Sequence, residues 1–153
     1  MSSFFYKNEI KALNKSGIEY LVIGGIAVNL YGLARLTRDM DLMIDVSEKN
    51  LQKFALLMNK LGYGTKISIE ESKDLVAIAF RHKSEEYKQI DIFIKNPIDF
   101  KKAFKRRKKM KIDNIIISCV GFDDLIKLKK IAGRDRDLID LGYLKKFKRR
   151  SEL

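Results

Sequence analysis

Two aspartates, Asp39 and Asp41, stand one residue apart in Arg38-Asp39-Met40-Asp41-Leu42-Met43-Ile44, a stretch whose apolar residues read as a buried strand. On a strand, residues two apart face the same way about 6 to 7 Å from each other. The pair is therefore a two-toothed carboxylate site on one face. Like charges so placed repel, and burying them is costly unless a cation lies between them. A hard divalent ion such as Mg²⁺ or Mn²⁺ meets that need, and Mg²⁺ takes its remaining ligands from water and substrate phosphates. Upstream, Gly24-Gly25 separates the apolar run Ile18 to Ile23 from the small and apolar residues Ile26 to Leu33. That order reads as a strand, a glycine turn and a helix N-terminus, where free N–H groups bind phosphate and glycine lets it come close. A third carboxylate, Asp91, is isolated in Gln89-Ile90-Asp91-Ile92-Phe93-Ile94, and alternation puts it on the face opposite Ile90 and Ile92. If its strand lies beside that of Asp39 and Asp41, three carboxylates meet. Two metal ions there could activate an acceptor hydroxyl and stabilise a leaving pyrophosphate.

The elements that must hold these residues are legible from periodicity. Phe4 to Lys15 carries a helical stripe that stops at Ser16-Gly17, and Ile18 to Ile23 reads as a strand. Asp39 to Val46 is the next strand. Ser47 can cap a helix running to about Leu61, with Leu51, Phe54, Leu57, Met58 and Leu61 at helical spacing. After Gly62-Tyr63-Gly64 two or three strands are expected, Leu75 to Phe80 and Gln89 to Ile94 the clearest, joined through the charged stretch Arg81 to Lys88. His82, within that stretch, reads as solvent-exposed and not as a catalytic base. Pro97 opens a turn into a helix that continues as a basic run, and Ile112 to Val120 is a last apolar strand. Phe122 to Ile131 is helical, Gly133 is a natural stop, and Arg134 to Lys148 makes a final helix. The expectation is one α+β domain over residues 1–153, with a palm-like core over about 17–120 and C-terminal helices over about 121–149. Its sheet should be small and mixed or antiparallel, flanked by helices and closed by a helical C-terminal cap.

Composition narrows the surroundings. An apolar fraction of 46% with 34% charged residues belongs to a globular chain that can bury a core without disulfides. The single cysteine, Cys119, has no disulfide partner, so a reducing cytoplasm fits, and no apolar stretch reaches the roughly 20 residues of a spanning helix. The formal net charge is +12, and its location is informative: residues 101–111 hold eight Lys or Arg and residues 145–150 hold five. Those 13, taken from 32, leave 19 bases against 20 acids, so the excess is local. Local positive charge points to a polyanion, with Lys105, Arg106, Arg107, Lys108 and Lys109 as candidate RNA contacts, or to a solvated basic helix face.

The glycine turn, the paired aspartates and the later isolated aspartate, in that order, resemble the signature of the nucleotidyltransferase superfamily with a DNA polymerase β-like palm. GGIAVNLYGLARLTRDMDL together with KLKKIAGRDRDLIDL resembles the bacterial AbiEii-type toxins and their nucleotidyltransferase relatives. The resemblance covers about residues 17–144. It implies transfer of an NMP group from an NTP, such as ATP, to a hydroxyl acceptor, which in the superfamily is an RNA end, a protein or a small antibiotic. It further implies that Gly24 and Gly25 hold the triphosphate, that Asp39 and Asp41 bind metal, and that Asp91 is the third ligand and the activator of the acceptor. Arg35 and Arg38 lie close enough in sequence to neutralise a triphosphate. Lys127 or Lys130 could reach the nucleotide, and Arg134 and Asp137 look like the family's polar pair. Gly24-Gly25 stands where many relatives have Gly-Ser, and AbiEii-type toxins usually carry a larger helical C-terminal part. A toxin role would add an antitoxin protein as partner. The alternatives for such a site are a metal-dependent nuclease or a non-catalytic nucleic-acid-binding module of the same fold.

Overall fold

The computed structural model describes residues 4–66, 77–95 and 97–151; the expected strand residues Leu75 and Val76, and the side chain of Arg150 in the second basic run, lie outside the described residues. In chain order the elements are α1 (Lys7–Ser16), β1 (Tyr20–Ile23), α2 (Gly24–Leu30), β2 (Met40–Ile44), α3 (Glu48–Lys60), β3 (Tyr63–Lys66), β4 (Ala77–His82), β5 (Gln89–Phe93), α4 (Phe100–Lys105), β6 (Lys108–Ile112), β7 (Ile115–Cys119), α5 (Phe122–Ala132) and α6 (Asp135–Ser151). Among the described residues the strands form one seven-stranded sheet in the order β3-β4-β5-β2-β1-β7-β6. β1 runs parallel to β7 and β2 parallel to β5; the other neighbours are antiparallel. The α+β class and the helical C-terminus are as the sequence suggested.

Local chemistry explains the boundaries. α1 ends where Gly17 adopts a left-handed φ of 76°, which a glycine reaches without strain. At the head of α3, Ser47 accepts a hydrogen bond from the Asn50 N–H. β1 and β2 lie at the centre of the sheet and are buried: Leu21, Val22, Leu42, Met43 and Ile44 are fully enclosed, with Phe54 and Met58 of α3 in the same core. Removing any of these from water contributes about 1.5 to 3 kcal/mol, which adds to the parallel backbone pairing of β2 with β5.

The first basic run departs from expectation. It is helical only through Lys105, and Lys108 to Ile112 is an edge strand paired with β7. Asp113 and Asn114, at φ 50° and 64°, form the two-residue turn of that hairpin, with Ile112 opposite Ile115. Both turn residues sit in the left-handed region that a tight hairpin requires, one that Asp and Asn tolerate better than most. His82 also departs. It is half-buried at the end of β4, with Nε2 3.0 Å from the Leu61 carbonyl and its ring edge-on to Tyr63, so it secures α3 to the sheet.

Candidate active site

The pairing of β2 with β5 sets Asp41 directly opposite Asp91. Adjacent strands are about 4.8 Å apart, and facing residues share a side of the sheet, so the two carboxylates are neighbours. Alternation works as expected, with Ile90 and Ile92 buried on the other face and Asp91 half-buried. Asp39 precedes the first residue of β2 and is not itself part of the strand. Its charge still reaches Asp41: the Asp41 carboxyl is pushed up to about 7, by burial first and then by Asp91 and Asp39, with Lys129 and Arg134 opposing. Three negative groups thus share one field.

Gly24 closes the site from above. It begins α2 at φ 66°, and a Cβ there would overlap the Asp41 carboxylate. The glycine is required twice over, for its backbone angle and for the space that the carboxylate occupies. Gly25 is buried beside Thr37, whose Oγ1 would lie 2.8 Å from a Cβ at that position. Asp91 is steadied by Gln89, which donates from Nε2 at 2.9 Å and accepts through Oε1 from Arg81 Nε at 2.9 Å.

The cations are not those expected. Lys127 and Lys130 are exposed on α5, whereas Lys129 is buried. Its ammonium lies 3.1 Å from Asp137 and 2.9 Å from Asp140, and Arg134 also pairs with Asp137 at 2.7 Å. Burial opposes ionisation of Asp137, but hydrogen bonds from Arg134 and Lys129 outweigh it and hold its carboxyl below the usual range. Arg35 reaches the same network through an ion pair with Asp140, so it is occupied with α6. Arg38 is exposed, with its guanidinium 5.5 Å from the Tyr87 ring centroid. The signal for Lys129 was present in the sequence. It falls four residues after Leu125, which is wholly buried, and therefore on the inward face of α5.

Of the basic candidates, Lys105, Arg106, Lys108 and Lys109 are exposed. Arg106 makes two hydrogen bonds to Asp124, at 2.9 and 3.0 Å, and Arg107 bonds the Phe104 carbonyl and lies over that ring. Those two arginines have structural duties within the chain. Among the described residues, no three or more His, Cys, Asp or Glu side chains are grouped so as to hold a metal ion by themselves. What the register does bring together is a pair of carboxylates, Asp41 and Asp91, with the charge of Asp39 acting on the first.

Solved structures carry the same fold. The lincosamide antibiotic adenylyltransferase LnuA, with lincomycin bound, matches at a TM-score of 0.68 and 18% identity, over 96% of this chain and 99% of its own. ANT(2")-Ia in complex with adenylyl-2"-tobramycin matches at 0.64 and 12% identity, over 90% of this chain and 84% of its own. An antigenic nucleotidyltransferase-like protein from Paracoccidioides brasiliensis matches at 0.57 and 16% identity, over 90% and 72%. A comparison with curated proteins gives no match. At these identities the likeness is one of fold, and membership rests on the sequence: residues 5–153 match the model of the family described as nucleotidyl transferase of unknown function (DUF2204), and the chain, a nucleotidyltransferase, belongs to that family.

Proposed function

We propose that the protein moves an NMP group from an NTP to a hydroxyl acceptor, with Mg²⁺ or Mn²⁺ held by Asp41 and Asp91 and joined by Asp39. The observation that carries this reading is the register of Asp41 against Asp91 beneath Gly24. A raised carboxyl in a field of three aspartates is what a divalent cation with phosphate ligands would neutralise. When bound, the cation would supply charge neutralisation to the transferring and leaving phosphates.

The chain's own groups divide the remaining work. Gly24 and Gly25 let the triphosphate approach the head of α2, and Arg134 faces it with positive charge while Lys129, held by Asp137 and Asp140, adds its field from within the fold. Arg38, exposed beside Asp39, is the arginine of its pair that meets substrate, while Arg35 acts through Asp140. Asp91, steadied by Gln89, takes the proton of the acceptor hydroxyl as its oxygen attacks the α-phosphorus. Asp39→Asn and Asp41→Asn should each bring transfer from α-labelled ATP to background with the circular dichroism of the fold retained. Asp91→Ala should still bind MgATP yet lose transfer. Undiminished turnover by Asp41→Asn would sink the assignment. Cleavage of RNA or DNA without label transfer would point to a nuclease, and RNA binding with neither would point to a binding module.

The exposed Lys105, Lys108 and Lys109 favour RNA as a second reading of the acceptor. The resemblance to AbiEii-type toxins extends it to a toxin restrained by an antitoxin protein. Growth arrest on expression, relieved by Asp41→Asn, is the test of that extension.

A further inference from the structure

A cavity of about 530 Å³ opens between the residues leading into α1, the face of α2 that carries Ile26, Asn29 and Leu30, and the segment before Asp39, and the charges of Asp39 and Asp91 act on the Tyr6 that lines it. Its walls are mainly apolar: Phe4, Phe5 and Tyr6 on one side, Leu30 and Ile112 on another, and Tyr87 at the rim. Phe5 and Tyr87 are 53% and 67% exposed, an arrangement that water disfavours and a flat ring would cover. Among the polar lining groups, the Asn29 Oδ1 is buried without a hydrogen-bond partner, and Arg38 supplies the cation. The wall is fixed in place. The Phe4 N–H donates to Asp113 at 2.7 Å, and the Tyr6 hydroxyl lies 2.5 Å from the Arg38 carbonyl and accepts from the Gln89 N–H at 3.2 Å. Gln89 in turn holds Asp91. The cavity thus joins the site through Tyr6, Gln89 and Asp91, whereas the cations that act on Asp41 come from Lys129 and Arg134 on the helical side.

We propose that this cavity receives the acceptor, a small hydroxylated molecule bearing an aromatic or apolar ring. The proposal rests on the nucleotidyl-transfer reading above and deepens it. An in-line displacement needs the acceptor on the side opposite the leaving pyrophosphate; neither Lys129 of α5 nor Arg134 of the α5–α6 connection lines the cavity, and both are left to meet the pyrophosphate. The acceptor oxygen forms a bond to the α-phosphorus, its proton passes to Asp91, and the bond to the bridging oxygen breaks so that pyrophosphate leaves with the electron pair. An RNA end brings a phosphate at every step, and this cavity offers it one cation and a largely apolar wall. The volume falls within the range of small-molecule sites, roughly 300 to 1,000 Å³.

The test uses 8-anilinonaphthalene-1-sulfonate as a ring-bearing anionic probe and 4-nitrophenyl β-D-glucoside as a ring-bearing alcohol. Wild-type protein should bind the dye at one site and pass label from α-labelled ATP to the glucoside. Leu30→Trp, which fills the cavity, should weaken both by about tenfold or more while MgATP affinity changes less than about twofold. Phe5→Ala and Tyr87→Ala, at positions more than half exposed, should each weaken dye binding about threefold. Dye affinity unchanged in all three variants, or label passed to an RNA 3′ hydroxyl at the same rate in Leu30→Trp as in wild type, would overturn the proposal. Wild-type protein that binds the dye but not MgATP would overturn the transfer reading and the acceptor assignment with it, a result distinct from failure at the cavity alone.

Discussion

Asp41 links the chemistry of the site to the stability of the chain. Its folded carboxyl titrates near 7, against an ordinary 3.8, because burial, Asp91 and Asp39 all oppose its charge. Between about pH 4 and pH 7 the folded state therefore holds a proton that the unfolded state has released. Stability falls as pH rises through that window, and the penalty is complete above it. In metal-free buffer Asp41→Asn should be more stable than wild type at pH 8, by up to about 4 kcal/mol, with the difference fading by about pH 4. Thermal melts across pH with a chelator present would measure it, and Mg²⁺ or Mn²⁺ should raise the wild-type melting temperature but not the variant's. Equal melting temperatures at pH 8 would mean that Asp41 is not held against its neighbours. The aspartates were legible in sequence because alternation and a glycine turn are local signals. Lys129 was harder to find, since three lysines share Lys127 to Lys130 and only the phase set by Leu125 separates them.

Between elements, the same lysine ties α5 to α6. Asp137 is wholly enclosed and Asp140 nearly so, and both depend on the Lys129 ammonium. Lys129→Met should destabilise the fold by about 3 kcal/mol, because two buried carboxylates lose a partner, and urea titration would show it. Loss below about 1 kcal/mol would mean that Arg134 and Arg35 already satisfy both. The β6–β7 hairpin carries another expectation. Asn114, at φ 64°, should accept glycine with a gain of a few tenths of a kcal/mol, whereas Asn114→Val should cost about 1 kcal/mol or more. A harmless valine would mean that Asn114 does not hold the left-handed conformation in solution. This hairpin is also where the sequence was least legible. Eight bases in residues 101–111 hide the alternation of Met110 and Ile112, and the Asp-Asn turn signal lies inside what otherwise reads as one apolar strand. By contrast α1, α3 and β5 were readable because their patterns span several turns or lie between clear breakers. The pairing of β2 with β5 is a contact between distant segments, which periodicity could suggest but could not fix.

Over the whole molecule, the question is what a formal charge of +12 does if the acceptor is small. Part of it is spent within the fold, as Arg106 on Asp124 and Arg107 on the Phe104 ring show. Another part sits on β6, an edge strand where exposed Lys108, Lys109 and Lys111 discourage pairing with another chain. Neither duty prevents a long-range attraction to polyanions, which depends on summed charge and not on a shaped site. Single-stranded RNA should therefore bind the protein weakly, with a log–log salt slope of roughly −0.7 for each phosphate neutralised. Replacing Lys105, Lys108 and Lys109 together by glutamine should reduce that slope by up to about 2, while MgATP affinity and transfer to a small acceptor stay within about twofold. Arg106 and Arg107 are left in place because their loss would confound charge with packing. A fluorescence-anisotropy titration at several salt concentrations, beside a transfer assay on the same samples, separates the two properties. If the triple variant loses transfer in proportion to RNA affinity, the basic surface belongs to the acceptor site and the polyanion is the substrate.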